Sequence, residues 1–566
     1  MPENPYADPT RECDIIMKGG VTSGVVYPQA ILKLAEQYRF RSIGGTSAGA
    51  IAAGLTAACE FNRAGGGFET IEKIPAFLAG NLLSLFQPAP ELGHLFDLLF
   101  KLKDKSSLWG GLSLIAGSQI AGFFRGRGLK KTLTRTLPAH HFGMCPGPTQ
   151  EGADGPGLTD WLAEQLEIAA GRMTPGGAFP DRPLVFGDLW RGALCDIESD
   201  GAELDAMPAA QRRIGLSMVT TNLSMKRPNA LPFLDDFNFY FSRSDFEKLF
   251  PPFVVDYMAG AVDAAHPYGD DYFHFPLGAK MPVIVAIRMS LSFPLLFTAI
   301  PLYRRYFSDR TADDNELELT LFSDGGLTSN FPIHFFDGLL PGRPTFGISL
   351  DEYDPRKWPK DDNGAIDDRV FLPMPAREGQ SLAIQKIESL FGFLMSLFNA
   401  SKDWQDQLQG VLPGYRERIA HIALKPDEGG LNLDMPPAAV ERLSRFGEKA
   451  GERFTGAPGA PREERFDFDE HRWRRALVLY ARLEESLAGL AGVWDKDVDG
   501  ENFKSFLTRY KTNPGSYAGL SNNDRDALIE RLDALAELGK SWSEDSIYKP
   551  DKFPKPPTDL RITPKQ

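Results

Sequence analysis

The chain of 566 residues predicts an α/β fold: a three-layer α/β/α core with helical insertions and a helical C-terminal extension. Three observations carry this. Near the N-terminus, short apolar runs alternate with helical patterns in the order strand, glycine loop, helix, strand, serine turn, helix. Hydrophobic residues make up 42% and charged residues 24%, ordinary values for a globular protein with a large core. Beyond residue 465 the pattern is helical only.

The first element is "CDIIMKGG" (Cys13 to Gly20), an apolar run that ends on two glycines and reads as a buried strand entering a turn. "GVVYPQAILKLAEQYRF" follows with Val25, Val26, Ala30, Ile31 and Leu34 at helical spacing. Pro28 falls in its first turn, where a missing N–H costs little. "FRSIGG" reads as a second strand, and "AGAIAAGLTAA" after Ser47 as a small-residue helix. Ser47 therefore occupies a strand-to-helix turn inside Gly45-Thr46-Ser47-Ala48-Gly49. Such a turn exposes a nucleophile and points helix N–H groups at developing negative charge. The other reading is a tight or phosphate-binding turn, although the Gly-Lys-Ser/Thr of a P-loop is missing.

A serine hydroxyl needs a base. None of the eight histidines sits in an obvious catalytic loop. His421, inside "RIAHIALKP", reads as a packed residue of an apolar strand, while His334 lies close behind the next segment of interest. That segment is "LELTLFSDGGLTSNFPIHFF": Leu317, Leu319 and Leu321 alternate as in a half-buried strand, and Asp324 ends it before Gly325 and Gly326. A carboxylate there can meet Ser47 at the C-terminal edge of a sheet. Taken alone, an Asp-Gly turn explains it equally well.

"KGGVTSG", "GTSAG" and "SDGGLTSNFP", in this order, resemble the patatin-like phospholipases, which are serine–aspartate lipid acyl hydrolases. "AIRMSLSFPLLFTAIPLY" resembles that family's Arg-x-Ser-x-x-x-Pro segment, and "GFFRGRGLKKTL" its Gly-x-x-x-Gly-x-x-Leu helix start. "GLSMVTTNLSMKRPNALPF" resembles its central strand and turn. The likeness runs from about residue 12 to 350 and implies Ser47 as nucleophile, Asp324 as general base, and an oxyanion hole at Gly19, Gly20 and Ala48. Lys18, Val21 and Ser23 depart from the family's Asp-Gly-Gly-Gly-x-Arg-Gly opening, so the hole must rest on backbone amides. No histidine, metal or cofactor is called for.

Residues 12–455 are expected to form the catalytic domain, with insertions at about 63–140 and 140–205. Within the first insertion, Ser106 to Phe124 is uncharged for 19 residues, but four glycines and four serines dilute it too far for a membrane span. A buried helix pair or a lid over an acyl pocket fits better. Around it Lys101, Lys103, Lys105, Arg125, Arg127, Lys130, Lys131 and Arg135 oppose only Asp104. This local reversal in a chain of net charge −14 reads either as a face for anionic lipid or as a solvated helix surface. "MCPGPTQEGADGPG" reads as a loop, "RPTFGISL" as a strand and "SLAIQKIESLFGFLMSLFNASKDWQDQL" as a long amphipathic helix. "PPAAVERLSRFGEKAGERF" is a helix that closes the domain near 455, and "GAPGAPREE" a linker. Residues 465–545 read as the helical extension and 546–566 as a disordered tail.

The net charge of −14 argues against nonspecific nucleic-acid binding. Cys13, Cys59, Cys145 and Cys195 show no metal-ligand spacing, and Cys13 and Cys59 lie in apolar contexts as buried thiols. With a polar N-terminus unlike a signal peptide, a cytoplasmic protein is expected, peripheral on the inner face of the membrane. The expected activity is an acyl ester hydrolase of the EC 3.1.1 type cleaving fatty-acyl esters of glycerophospholipids through an acyl-serine. The alternatives are a thioesterase or lysophospholipase with the same dyad, or a non-catalytic lipid-binding regulator.

Overall fold

The first apolar run is buried on both faces. In β1 (Arg11–Met17), Ile15 and Met17 enter the main core; Ile16 faces the other way, into a smaller cluster with Phe331, Ile333 and Ile419. The computed structural model describes residues 4–101, 131–192, 201–305, 317–354, 369–373 and 412–555, apart from 21, 235–237, 263–267, 426–427, 430–432, 457–464, 513–514 and 517–518. Val21, Cys195, the Ser106–Phe124 run with most of its basic flanks, the helix expected over 381–408, most of the 456–464 linker and the last residues of the tail lie outside the described residues.

β1 sits inside an 11-stranded sheet. It pairs in parallel with β2 (Tyr38–Gly45) and with β11 (Thr345–Glu352). β13 (Ile419–Leu424) continues the parallel set past β11, and β12 (Val370–Phe371) closes that side antiparallel. On the other side β2 pairs in parallel with β4 (Gly215–Asn222). From there the sheet turns antiparallel through β10 (Leu317–Asp324), β9 (Ile300–Arg305), β6 (Phe239–Ser242) and β7 (Tyr272–His274). β5 (Arg227–Leu231) folds back on β4, while β3 (Gly143–Cys145) and β8 (Leu295–Phe297) form a separate parallel pair. The two glycines of β2 thus lie near the middle of a parallel region whose strand ends share one edge, where α/β folds place their sites.

The helices that frame this edge are α1 (Tyr27–Ala35), α2 (Ala48–Phe61), α3 (Phe68–Asn81), α4 (Leu158–Ala169), α5 (Val283–Leu291) and α6 (Pro437–Thr455). α1 and α2 each begin just beyond a strand of the edge, β1 and β2, and run away from it; α3 follows α2 after a short loop and returns. The extension consists of α7 (Phe468–Trp494), α8 (Phe503–Tyr510) and α9 (Asn522–Glu544). α9 is capped by Ser521 in a reciprocal box with Asp524, a sequence-local start signal.

One reading changes. β10 forms where expected, but its phase is inverted: Thr320 and Phe322 are buried, and Leu319 is 43% exposed. The cause is aromatic packing, since Phe322 meets Phe233 and Phe239 with ring centroids 5.7 and 5.4 Å apart. His421 is buried in a strand as expected, stacked on Phe371, and its Nδ1 also lies 2.6 Å from Asp351 Oδ2.

Candidate active site

Ser47 is held at φ 57° and ψ −126°, between the end of β2 and the first turn of α2. A non-glycine residue rarely adopts such a backbone, and it persists only when its surroundings enforce it. Two glycines do so by permitting close approach. A Cβ at Gly45 would stand 2.1 Å from the carbonyl oxygen of Gly49, and one at Gly49 would stand 2.3 Å from that of Met17. Behind the turn, Ser47 N–H donates to Ser290 Oγ at 3.2 Å. The seryl side chain is buried, with the residue 4% exposed.

Asp324 reaches the same place from the antiparallel side of the sheet. Gly45 stands opposite Met218 on β4, and two residues further along β4 Thr220 stands opposite Asp324. One strand therefore separates the two chain reversals at nearly equal height. Their turns touch: a Cβ at Gly325 would lie 2.9 Å from Thr46 Cγ2. Asp324 is 3% exposed, and its Oδ1 accepts the Gly326 N–H at 2.7 Å, a bond that favours the ionised carboxylate. Its own N–H donates to the Ser292 carbonyl at 2.9 Å. The short stretch Ser290–Ser292 thus holds the backbone on both sides of the site.

That stretch is braced by Arg288, which is fully buried. Its guanidinium donates to Ser292 Oγ at 2.8 Å, to the Pro146 carbonyl at 3.0 Å and to the Thr298 carbonyl at 3.4 Å, and sits over the Phe297 ring. All three acceptors are neutral, and burial pushes the Arg288 pKa down to about 9.

The glycine loop lies across the same corner. The Gly19 N–H, one of three expected oxyanion donors, donates to the Asn330 carbonyl at 3.0 Å. In this arrangement the amides of Gly20 and Ala48 are the two that have no acceptor among the described residues. Asn330 was not singled out from the sequence, although it lies within "SDGGLTSNFP". Its Oδ1 is within 2.3 Å of where a Gly19 Cβ would stand and 2.8 Å of a Gly326 Cβ, so it sits between the loop and the aspartate turn. Lys18 points elsewhere: Nζ donates to the Leu350 carbonyl at 3.1 Å and lies 3.5 Å from Asp351 Oδ1. His334 is half-buried with its ring edge-on to Phe335. No cluster of metal-ligating side chains occurs among the described residues.

A strained serine at a strand–helix turn, with a buried carboxylate one strand away, is the local geometry that a nucleophile elbow requires. The comparisons with known proteins agree with that class. Residues 15–337 match the family model described as patatin-like phospholipase, and the chain belongs to that family, within the lipid acyl hydrolases. A protein named RpoH suppressor from Rhizobium meliloti (strain 1021) is 33% identical over 658 aligned residues, covering 98% of this chain and 99% of that one. Among solved structures, VipD from Legionella pneumophila is 13% identical, with 94% of this chain and 86% of that chain covered and a TM-score of 0.30. The ExoU–SpcU complex from the type III secretion system of Pseudomonas aeruginosa is 14% identical, with coverage of 97% and 79% and a TM-score of 0.20.

Proposed function

We propose that the protein hydrolyses fatty-acyl esters of glycerophospholipids with Ser47 and Asp324 as its dyad. One observation carries this: the strained Ser47 turn touches the turn of a buried aspartate across a single strand. Asp324 takes the proton from Ser47 Oγ as that oxygen attacks the ester carbonyl carbon. The oxyanion is met by the Gly20 N–H of the glycine loop and by the Ala48 N–H at the start of α2, where the helix dipole adds to it. The proton passes to the leaving alcohol, an acyl-serine forms, and Asp324 then takes a proton from water as it releases the fatty acid. The family supplies the substrate class, and the glycerophospholipid is the member of it that a membrane offers in greatest quantity.

The test is covalent. A fluorophosphonate should label wild-type protein at Ser47, seen by peptide mass, and phospholipid vesicles should release free fatty acid in its presence. Labelling at any other serine, with Ser47→Ala still releasing fatty acid, would refute the assignment.

A further inference from the structure

Ala48, which lends its N–H to the proposed oxyanion hole, also lines a cavity enclosed by α1, α2, α3 and α4. We infer that this cavity is the subsite for a single unbranched acyl chain, and that Ala52 sets how deep the chain runs. The inference rests on the reading of Ser47 as the nucleophile.

The lining is almost wholly apolar. Thr22 supplies a hydroxyl to it, and among the described residues no charged side chain takes part. A glycerol phosphate would lose its hydration there without a partner, which is costly, whereas an alkyl chain gains by leaving water. The volume of about 80 Å³ suits one slim chain and no bulky ring.

The helix directions give the cavity a depth axis. α1 and α2 both start at the site and lead away from it, and α3 runs back. On α2 the lining residues are Ala48, Ile51, Ala52 and Leu55, one face at helical spacing. At 1.5 Å per residue, Ala52 lies about 6 Å and Leu55 about 10 Å beyond Ala48. The deep end is therefore where Leu55 meets Ile31 of α1 and Ile71 of α3, all three buried. Above Leu55 the α2 wall is formed by Ala48, Ile51 and Ala52, of which only Ile51 carries a large side chain. A methyl group at position 52 leaves the passage open, and a large side chain there would close it about one turn below the serine.

The experiment uses p-nitrophenyl esters from acetate to palmitate with the full-length protein. Each methylene that enters the cavity should raise kcat/KM roughly fourfold, until the chain meets the floor and the rise stops. In Ala52→Phe the plateau should come several carbons earlier, and the long-to-short ratio of kcat/KM should fall at least about 10²-fold. Leu55→Ala should move the plateau to longer chains. Folding of each variant is checked by circular dichroism, and Leu55→Ala decides if Ala52→Phe does not fold. A folded variant whose chain-length profile matches wild type overturns the subsite, as does Ala52→Phe losing all chain lengths equally. Those results leave the nucleophile untouched, because Ser47→Ala tests it separately on the acetate ester, which is too short to reach Ala52.

Discussion

A backbone at φ 57° and ψ −126° costs a serine about 1–3 kcal/mol, and Ser47 retains it between two glycine contacts and the Ser290 hydroxyl. Strain held this firmly is useful if the hydroxyl must stand clear of the helix it begins. Ser47→Ala and Asp324→Asn should each abolish ester hydrolysis with circular dichroism unchanged. The double variant should be little worse than either, since the two act as a unit. Near-normal turnover by a folded Asp324→Asn protein would sink the dyad. His334→Gln should keep most of the activity, because the base is a carboxylate in this reading; a loss as deep as that of Ser47→Ala would favour a histidine instead. Ser47 and Asp324 could be singled out in the sequence because each stands beside glycines at the end of an apolar run. Ser290 stood in the Arg-x-Ser-x-x-x-Pro segment and Asn330 in "SDGGLTSNFP", but the partner of neither could be read from the sequence. Their bonds, to the Ser47 N–H and from the Gly19 N–H, join residues hundreds of positions apart, and such pairings leave no periodic trace.

At the scale of elements, the site depends on how closely α2 can ride on the end of β1. Gly49 is the contact point: a Cβ would meet the carbonyl oxygens of Met17 and Lys18 at 2.3 and 2.9 Å. Gly49→Ala must push the helix off the strand. It should lower Tm by an amount equivalent to about 1–3 kcal/mol and displace both Ser47 and the Ala48 amide. Gly80, inside α3 with nothing near its Cβ position, is the control. Gly80→Ala should be neutral or stabilising by up to about 1 kcal/mol. If thermal denaturation shows the two variants alike, close packing at Gly49 is not what fixes the elbow. Sequence periodicity placed β1, α1, β2, α2 and β11, where apolar spacing and core position agree. In β10 it found the strand and mistook its face. Leucines at alternate positions looked like the inward set, but the inner face of that strand is filled by Phe322 among other aromatic rings. Which face of a strand is buried depends on the neighbours it meets, and β10 meets residues a hundred or more positions away on β4.

At the scale of the whole molecule, two surfaces decide how the enzyme is presented to its substrate. The first is basic. Lys131 and Arg135, the described members of the cationic flank, are exposed, and among the described residues no helix is long and apolar enough to cross a membrane. If the flank meets lipid, sedimentation should show tighter binding to anionic than to neutral vesicles, with salt weakening the preference. Charge reversal at Lys131 and Arg135 should reduce it; unchanged binding would place the docking surface elsewhere. The second surface joins α7 of the extension to the catalytic core. His471 Nδ1 lies 3.0 Å from Glu417 Oε1, and both residues are buried. Glu417 also accepts the Gly414 N–H at 3.1 and 3.0 Å, and Arg418 and Arg475 stand near enough to act on the imidazole. Burial, reinforced by those two cations, holds the His471 pKa below its ordinary value in spite of Glu417. Burial works the other way on Glu417, but the hydrogen bond and charge of His471 outweigh it, and its pKa is lowered. Both groups then bind fewer protons folded than unfolded, so in both cases stability rises with pH and is lost as pH falls. The histidine contribution is full above about pH 6.5 and is lost as pH drops below that; the glutamate contribution follows below about pH 4.3. His471→Gln keeps a donor for Glu417 and removes the titration. Between about pH 7 and 5 the Tm of wild type should therefore fall more steeply than that of His471→Gln, most visibly if unfolding begins with release of α7. Parallel Tm curves for the two proteins across that interval would show that the imidazole stays proton-indifferent at this interface.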